Sequence, residues 1–371
     1  MLMCLMEVSV GQGLPASKLG VKPAAQEKSA PEKPGEQEKA QAGLRIAWVG
    51  DIVMEVAWRQ PPSPPKPLFD GVRKRLLDSD LVIANLESPL TDWSTMTPHK
   101  DKADIETGRD VVLRVASPDA APALHEAGIS VVGLANNHTM DYTERGFRDT
   151  LKRLRAAGVS YAGGGKNLAA AEAPLIVEIK GRKVGILSFS DVVPRYFWAE
   201  NHRPGIATAK EDDRLLAAVR RARPKVDILI VALHWGVQFS QEPSPRQLSL
   251  AREAQQAGAD LILGAHPHVL QGVGCLGRVP VVYSAGNFVF PTMKASTRRT
   301  AIFEFEFSSS RPPVVRLVPA VLDDRGAPQL VEGESRQSIL SEMNQLSLPL
   351  GLRFDGDSGA CSEAPSQERP A

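Results

Sequence analysis

Cysteine is scarce in this chain of 371 residues, which contains only Cys4, Cys275 and Cys361. Three cysteines spaced so far apart exclude the disulfide framework of a small secreted domain. They also exclude a thiolate zinc site, which needs closely spaced pairs. We expect Cys275 to be a structural thiol and the other two cysteines to lie in mobile ends. The cysteines therefore say little about the redox compartment of the protein.

Long hydrophobic runs and an excess of one charge are also missing. No stretch of about 18 apolar residues occurs, so the sequence predicts no membrane-spanning helix. The chain has 44 basic and 43 acidic residues, a formal net charge of +1. This balance gives no reason to expect nucleic acid or an anionic membrane as a partner. With 43% hydrophobic residues, the chain can still build one large domain or two ordinary ones.

The ends of the chain differ in composition from its middle. Residues 1–10 are apolar apart from Glu7, which is typical of a secretory signal that lacks its basic start, and a disordered leader is the alternative. Residues 22–42 contain no large apolar side chain and predict a flexible tether. We therefore expect a signal-like leader and disordered tether over residues 1–43, one domain over 44–354 and a disordered tail over 355–371. A true signal would place the domain in the cell envelope, whereas without one the protein would be cytoplasmic.

Between residues 44 and 354, short β-branched runs alternate with helical patterns. The predicted strands are residues 45–49, 81–84, 130–134, 184–189, 228–233, 261–263 and 281–284. The predicted helices are residues 68–77, 119–127, 144–157, 211–221, 245–257 and 335–346. A hairpin at residues 175–189 and strand-like runs at 301–307 and 314–318 interrupt the alternation. This mixture predicts an α/β fold, a layered sandwich of two mixed β-sheets flanked by helices.

Polar side chains follow five of the predicted strands, at the point where each strand ends. They are Asp51, Asn85 with Glu87, Asn136 with Asn137 and His138, His234, and His266 with His268. Ligand sites of α/β sheets lie outside the carboxyl ends of the strands, so we expect these groups to converge on one crevice. Carboxylates, amides and imidazoles suit a divalent ion such as Mn, Zn or Fe. Each residue alone also has an ordinary explanation as a cap, a turn residue or a core histidine, but recurrence at five strand ends favours a metal site.

Six motifs stand in order along the chain: GDI at 50–52, ANLESPLT at 84–91, LANNHTMD at 134–141, HWG at 234–236, GAHPHVLQG at 264–272 and YSAGNFVF at 283–290. This set resembles the CapA family of bacterial capsule-synthesis proteins, which is associated with poly-γ-glutamate and belongs to the calcineurin-like metallophosphoesterase superfamily. The resemblance implies a metallophosphoesterase-like fold and a catalytic proton donor at His138. The metal ligands that it implies are Asp51, Glu87, Asn137, His234, His266 and His268. The pocket residues that it implies are Asn85, Asn136 and Asn287.

The sequence departs from the superfamily pattern at two motifs. Val53 stands two residues after Asp51, where a histidine ligand is usual, so one ligand to one metal is absent. Asn85-Leu86-Glu87 replaces the usual aspartate of the second motif. Compared with the family that the sequence resembles, Gln238-Phe239 stands where Glu-Tyr is common. These departures favour one well-held metal ion, or a weak second one.

The resemblance implies a metal-dependent hydrolase-like protein of capsule, poly-γ-glutamate or cell-envelope polymer metabolism, acting on a phosphoester or an amide. A non-catalytic component of a polymer synthesis or export complex is the alternative. Capsule synthesis or export machinery is the implied partner. A cytoplasmic phosphoesterase unrelated to capsule is a third hypothesis if residues 1–20 are simply disordered. The missing first-motif histidine favours the non-catalytic component, whereas the presence of His138 favours the enzyme.

Overall fold

The computed structural model describes residues 43–56, 65–108, 110–292, 294–308 and 311–362. The predicted leader and tether up to residue 42 and the end of the predicted tail, residues 363–371, lie outside these ranges. The strands are β1 (Leu44–Ile52), β2 (Leu81–Leu86), β3 (Val131–Gly133), β4 (Ser160–Ala162), β5 (Gly164–Gly165), β6 (Leu175–Ile179), β7 (Arg182–Ser190), β8 (Gly205–Ile206), β9 (Ile228–His234), β10 (Leu261–Ala265), β11 (Val273–Leu276), β12 (Val279–Val282), β13 (Asn287–Val289), β14 (Arg299–Phe307), β15 (Val314–Leu322), β16 (Pro328–Leu330) and β17 (Ser358–Ala360). The helices are α1 (Arg73–Leu77), α2 (Lys102–Glu106), α3 (Ala120–Glu126), α4 (Thr143–Ala156), α5 (Leu168–Ala171), α6 (Asp212–Ala222), α7 (Pro245–Ala257) and α8 (Gly333–Ser347).

Two mixed sheets form the centre of the domain. The first sheet has the order β16-β15-β14-β1-β2-β3-β4, with β13 beside β1 and β17 beside β15. Its strands β1 to β4 are parallel, and β14 to β17 are antiparallel to their neighbours. The second sheet has the order β11-β12-β10-β9-β7-β6, in which β7, β9, β10 and β12 are parallel. The predicted sandwich of two mixed sheets is therefore confirmed.

Alternate side chains of the central strands enter two different hydrophobic cores, because side chains alternate between the faces of a strand. In β1, Ile46 and Trp48 belong to the core between the two sheets, whereas Ala47 and Val49 belong to an outer core with α3 and α4. The strand β9 likewise divides its residues between the inner core and an outer core with α6 and α7. The domain is thus built of four layers, helix, sheet, sheet and helix.

The carboxyl ends of the parallel strands in both sheets carry the polar residues. Strand register places Asp51 of β1 beside Asn85 of β2, and His234 of β9 beside the last residue of β10. Strand β13 pairs with β1 in parallel, and the residue before β13 lies very close to β1. A Cβ atom at Gly50 would stand 1.8 Å from the carbonyl oxygen of Gly286. Only glycine permits this close approach. It brings Asn287 beside Asp51 in the register of β1 and β13.

Most predicted helices lie within two residues of the observed ones, namely α3, α4, α6, α7 and α8. Helix α7 shows why: Ser244 and Gln247 form a capping box, Pro245 is the first helical residue, and Gly258 ends the helix with a left-handed φ of 118°. The helix predicted over residues 68–77 was wrong in part. Only Arg73–Leu77 is α-helical, after a 3-10 turn at Lys66–Phe69. The intervening residues include Gly71, which lowers helix stability.

The C-terminal segment corrects two expectations. Strand β17 pairs with β15 inside the tail that we predicted to be disordered, so ordered structure continues beyond residue 354. Cys361 is buried there and forms a disulfide with Cys275, with Cα atoms 5.4 Å apart. Cys275 is therefore not a free thiol, and Cys361 does not lie in a mobile end. Among the described residues, no helix is both long and apolar enough to cross a membrane.

Candidate metal centre

The polar residues that follow the strands meet in one buried cluster. Asp51 belongs to β1, Glu87 follows β2, and Asn137 and His138 follow β3. His234 ends β9, His266 and His268 follow β10, and Asn287 begins β13. All of these side chains except that of Asn137 are buried. The structure therefore brings every predicted site residue to one place. Strands of two different sheets supply them, at their carboxyl ends except for Asn287 at the start of β13.

His234 Nε2 is the centre of the first group of potential ligands. It lies 2.7 Å from Asn137 Oδ1, 3.1 Å from His266 Nδ1 and 3.4 Å from Glu87 Oε1. An imidazole nitrogen carries at most one proton, so it cannot hydrogen-bond to all three atoms. Glu87, His234 and His266 can each offer one atom to a shared metal ion. A cation within this group would satisfy contacts that hydrogen bonds cannot.

Asp51, Glu87 and His268 form the second group. His268 Nδ1 lies 3.2 Å from Asp51 Oδ2, and His268 Nε2 lies 3.9 Å from Glu87 Oε1. Val53, at the position where the superfamily pattern has a histidine, is fully buried in an apolar cluster with Val56 and Leu113. It supplies no ligand atom. Each group therefore offers three ligand atoms, and the second lacks the histidine that the superfamily pattern would add. Asn137 Oδ1 is also close to the first group, and Asn287 Oδ1 is close to His268 of the second.

Glu87 belongs to both groups and has an unusual environment. Its side chain is fully buried, and neither carboxylate oxygen has a hydrogen-bond partner. Buried carboxylates are otherwise paired, hydrogen-bonded or bound to a metal, because desolvating an isolated charge costs several kcal/mol. Two oxygens without hydrogen-bond partners, with His234 and His266 in one group and His268 in the other, fit a carboxylate that would hold divalent metal. The donor set is of the kind that Mn, Zn and Fe accept.

Electrostatics in the metal-free site agree with this assignment. Burial, together with the charge of Asp51, raises the pKa of Glu87 well above its ordinary value. Burial lowers the pKa of His234 to about 3, and burial with the neighbouring His234 lowers the pKa of His266 well below its ordinary value. Both imidazoles are therefore neutral at pH 7, which is the protonation state that binds metal.

His268 behaves differently from the other two imidazoles. Burial opposes its protonated form, but the charge of Glu87 and the hydrogen bond and charge of Asp51 outweigh burial and raise the pKa of His268 to about 9. Burial likewise opposes the ionised form of Asp51, but contacts with His268 hold the pKa of that carboxyl below its ordinary value. A proton on His268 thus supplies positive charge between two carboxylates. Metal binding at this group would release that proton.

The remaining predicted pocket residues support the ligands. Asn85 Nδ2 donates to Asp51 Oδ1 at 2.8 Å and lies 3.2 Å from His234 Nδ1. Asn136 donates to the backbone carbonyl of Leu86 at 2.8 Å and accepts from the His138 N–H at 3.1 Å. These two asparagines therefore orient the loops that carry the ligands. The interpretation of Asn136 as a turn residue and its prediction as a pocket residue are compatible.

The loop after β10 has a strained backbone. His266 has a φ of 102° and His268 a φ of 60°, in the region that residues other than glycine rarely adopt. The His266 N–H lies 3.3 Å from Asp51 Oδ2, and His268 Nδ1 lies 2.9 Å from Asn287 Oδ1. Strain of this kind persists only where the surroundings hold it, and it concentrates at functional sites. Here it points both imidazoles toward the carboxylates.

Two residues of the site were not among the predicted ones. Asp141 Oδ2 lies 2.7 Å from His138 Nδ1, and Lys100 Nζ lies 2.7 Å from Asp141 Oδ1 and 3.1 Å from His138 Nδ1. Burial and the charge of Lys100 lower the pKa of His138. The spacing of three residues between His138 and Asp141 was a signal for the first pair. Lys100 has no such signal, because its loop is distant in sequence.

A cleft of about 440 Å³ opens onto the cluster. Asn137, His138, His266 and His268 line its base. Its other walls are formed by Val56, Val111, Leu113, Gln238, Phe239, Phe290 and Lys294, among others. The Gln238-Phe239 pair therefore faces the cleft. The cleft combines a polar base with a wall of both apolar and polar side chains.

The fold and the site together define a class of protein. It is an α/β sandwich with a cluster of carboxylates and imidazoles at its strand ends, and this cluster is suited to divalent metal. The model of the family described as bacterial capsule synthesis protein PGA_cap matches residues 45–292. The chain belongs to this family. The resemblance predicted from the motifs is thus confirmed.

Two relatives illustrate the membership. The chain is 32% identical over 311 residues to the capsule biosynthesis protein CapA of Bacillus anthracis, covering 81% of this chain and 72% of that protein. It is 28% identical over 308 residues to the PGA biosynthesis protein CapA of Bacillus subtilis, covering 81% of this chain and 78% of that protein. Among solved structures, the NAD nucleotidase of Haemophilus influenzae aligns with a TM-score of 0.42 and 14% identity, over 85% of this chain and 57% of that chain.

Proposed function

We propose that this chain is a metal-dependent hydrolase-like protein of capsule, poly-γ-glutamate or cell-envelope polymer metabolism. Membership of the capsule synthesis family supports the polymer, and the names of the two Bacillus relatives agree with it. One observation carries the chemistry: the buried Glu87 carboxylate lacks hydrogen-bond partners and lies between two groups of ligand atoms. Capsule synthesis or export machinery is the proposed partner.

The proposed ligands divide unequally between two positions. Glu87, Asn137, His234 and His266 would hold the first divalent ion. Asp51 and His268, again with Glu87, would hold a second ion less firmly, because Val53 supplies no ligand. A divalent ion held by these residues would supply Lewis-acid chemistry, polarising a phosphoryl or acyl oxygen and lowering the pKa of water to about 7.

His138 is the proposed proton-transfer residue. Its Nδ1 atom is engaged by Asp141 at 2.7 Å, which fixes the ring and leaves Nε2 as the nitrogen available at the cleft. Its lowered pKa favours the neutral ring at pH 7. A neutral imidazole accepts a proton at Nε2 and can then return it to a leaving group. Lys100 holds Asp141 from the other side and so keeps the pair in place.

The experiment separates metal ligands from the proton-transfer residue. His266→Ala and His268→Ala should lower the metal content of the purified protein, measured by elemental analysis, because each removes an imidazole ligand. His138→Ala should retain its metal and lose on the order of 10²- to 10⁴-fold in turnover on a panel of phosphoesters and γ-glutamyl amides. His125→Ala, on the exposed side of α3, is the matched control and should change neither quantity. Metal contents equal to that of the wild type in all four variants would show that these histidines are structural.

The second candidate is a non-catalytic component of a polymer synthesis or export complex. The burial of Val53 in an apolar cluster favours it, because the second ligand group is then too small for a firmly held metal pair. The same panel distinguishes the two functions. Metal that is lost in His266→Ala, together with a wild type that turns over no substrate, would favour this second candidate.

We also propose an extracytoplasmic location in the cell envelope. The Cys275–Cys361 disulfide supports it, because disulfides persist mainly in oxidising compartments. Cell fractionation followed by labelling of free thiols tests the proposal. The protein should appear outside the cytoplasm with both cysteines protected from labelling. A protein found in the cytoplasm with two reactive thiols would contradict it.

A further inference from the structure

The rim of the cleft carries a lysine that is not paired with a carboxylate. Lys294 is exposed, and its ammonium lies 3.5 Å from the centroid of the Phe239 ring. No carboxylate among the described residues forms an ion pair with it. The other charged side chain on the cleft wall, Asp110, lies 3.6 Å from Lys100 Nζ instead. The ammonium is therefore held in position without being neutralised.

Phe239 fixes where that ammonium lies. The Phe239 backbone has a φ of 66°, which is unusual for a bulky residue, and its N–H donates to the Pro267 carbonyl at 2.8 Å. Pro267 stands between His266 and His268 in the candidate metal-binding loop. The Phe239 ring is 6.2 Å from the His268 ring, measured between centroids. Lys294 is thus placed one aromatic ring away from a candidate metal ligand.

Part of the cleft wall has the opposite character. Val111, Leu113 and Phe290 line the same cleft and present apolar surface. An unpaired cation next to apolar surface suits a substrate that carries an oxyanion close to a short aliphatic segment. A γ-glutamyl chain has this pattern, because each unit joins a free carboxylate to two methylene groups.

We infer that Lys294 binds an oxyanion of the substrate, a carboxylate or a phosphate, beside the bond that lies at the metal centre, while the apolar wall takes the adjoining methylene groups. Phe239 is the positioning residue that holds the ammonium in place. The inference rests on the proposed function, which sets the reacting group at the metal centre. It adds the residue that selects anionic substrates.

Binding to the full-length, metal-loaded protein tests the inference by isothermal titration calorimetry. The probes are a γ-glutamyl oligomer, its uncharged methyl ester and phenyl phosphate. Lys294→Gln should weaken binding of an anionic probe by about fivefold, the upper end of the effect of one charge-assisted contact at an exposed site. Lys294→Arg should stay within about threefold of the wild type because it keeps the charge. Lys152→Gln, an exposed lysine on α4, is the matched control.

The two anionic probes identify the source of the oxyanion. Weaker binding of the oligomer alone assigns a carboxylate, and weaker binding of phenyl phosphate alone assigns a phosphate. Three results would overturn the inference: a wild type that binds neither anionic probe, a Lys294→Gln variant that binds both as the wild type does, or an equal loss for the methyl ester.

The readout is also independent of turnover. If the wild type hydrolyses nothing while Lys294→Gln still loses oligomer binding, the hydrolase proposal fails and the role of Lys294 stands. If turnover is observed but Lys294→Gln binds every probe as the wild type does, the hydrolase proposal stands and the role of Lys294 fails. Equal metal content in Lys294→Gln and wild type would show that the centre itself is intact.

Discussion

Glu87→Gln should change the free energy of unfolding in opposite directions in the metal-free and the metal-loaded protein. In the metal-free protein, the carboxylate is fully buried and its oxygens have no hydrogen-bond partner. Leaving a buried polar group unpaired costs about 1–3 kcal/mol, and more when it is charged. Glutamine has nearly the same shape without the charge. It gives up the attraction between Glu87 and the His268 ring, whose Nε2 lies 3.9 Å from Glu87 Oε1, so the net gain in stability of the metal-free variant should be about 1 kcal/mol at pH 8.

The pH dependence provides an internal check. The pKa of Glu87 is raised well above 4.5 in the folded protein by burial and by Asp51. Between that ordinary value and the raised one, Glu87 holds a proton in the folded state that it has lost in the unfolded state, so the contribution of Glu87 to the stability of the metal-free protein falls as pH rises through this window. Glutamine does not titrate. The advantage of the variant should therefore be smallest near pH 4.5 and grow toward pH 8.

With metal bound, the sign should reverse. Glu87 belongs to both ligand groups, so its replacement should weaken metal binding by about 100-fold or more. At saturating metal, the bound ion would then add about 2.7 kcal/mol less to the free energy of unfolding than it does in the wild type. Urea denaturation with EDTA and with added Mn²⁺ measures both quantities. Glu178→Gln, an exposed glutamate of β6, is the control and should show neither change. A metal-free Glu87→Gln protein that is less stable than wild type at pH 8 would refute the reasoning.

Three further predictions follow from the fold and the site. Cys275→Ser removes the disulfide to Cys361, which spans 86 residues, and should lower the free energy of unfolding by about 4 kcal/mol, measured in urea without reductant. Reduced wild type should be as stable as the variant. Equal stability of variant and wild type under oxidising conditions would contradict the pairing. Asp141→Asn should keep its metal but lose on the order of 10²-fold in turnover, because His138 loses the group that orients it; unchanged turnover would exclude that role. Gly50→Ala would place a Cβ atom 1.8 Å from the backbone carbonyl oxygen of Gly286, so it should lower the free energy of unfolding by about 2–4 kcal/mol and also lower the metal content. A variant as stable as wild type would show that the segment entering β13 does not approach β1 this closely.

Much of the architecture could be predicted because its signals are local. Helix α7 is marked by Ser244, Pro245 and Gly258, which act within a few residues of its ends. The strands are marked by runs of β-branched residues, and the polar residues of the site follow those runs directly. The rule that ligand sites lie at carboxyl ends of strands then connects Asp51 to His266, although they are 215 residues apart.

Other features carry no local signal. The Cys275–Cys361 pair depends on the pairing of β17 with β15. The sequence of β17 is short and lies in a polar tail, so it predicts disorder instead of a strand. Lys100 reaches Asp141 only because two loops pack together. The approach of Lys294 to Phe239 likewise depends on the strained backbone of the loop after β9. Hydrophobic periodicity cannot predict these contacts, because each contact joins segments that are far apart in the sequence.

By itself, the sequence determined which side chains could carry the chemistry and that they stand at strand ends, because hydrophobic alternation and turn residues act over a few positions. The motif order likewise determined the family. Only the tertiary structure decided how these side chains are shared: Glu87 lies between both ligand groups, Asn85 and Asn136 support them, and Val53 is withdrawn into an apolar cluster. The reason is that two sheets must pack face to face before the carboxyl ends of β1 and β9 can meet, and that packing is set by the whole inner core.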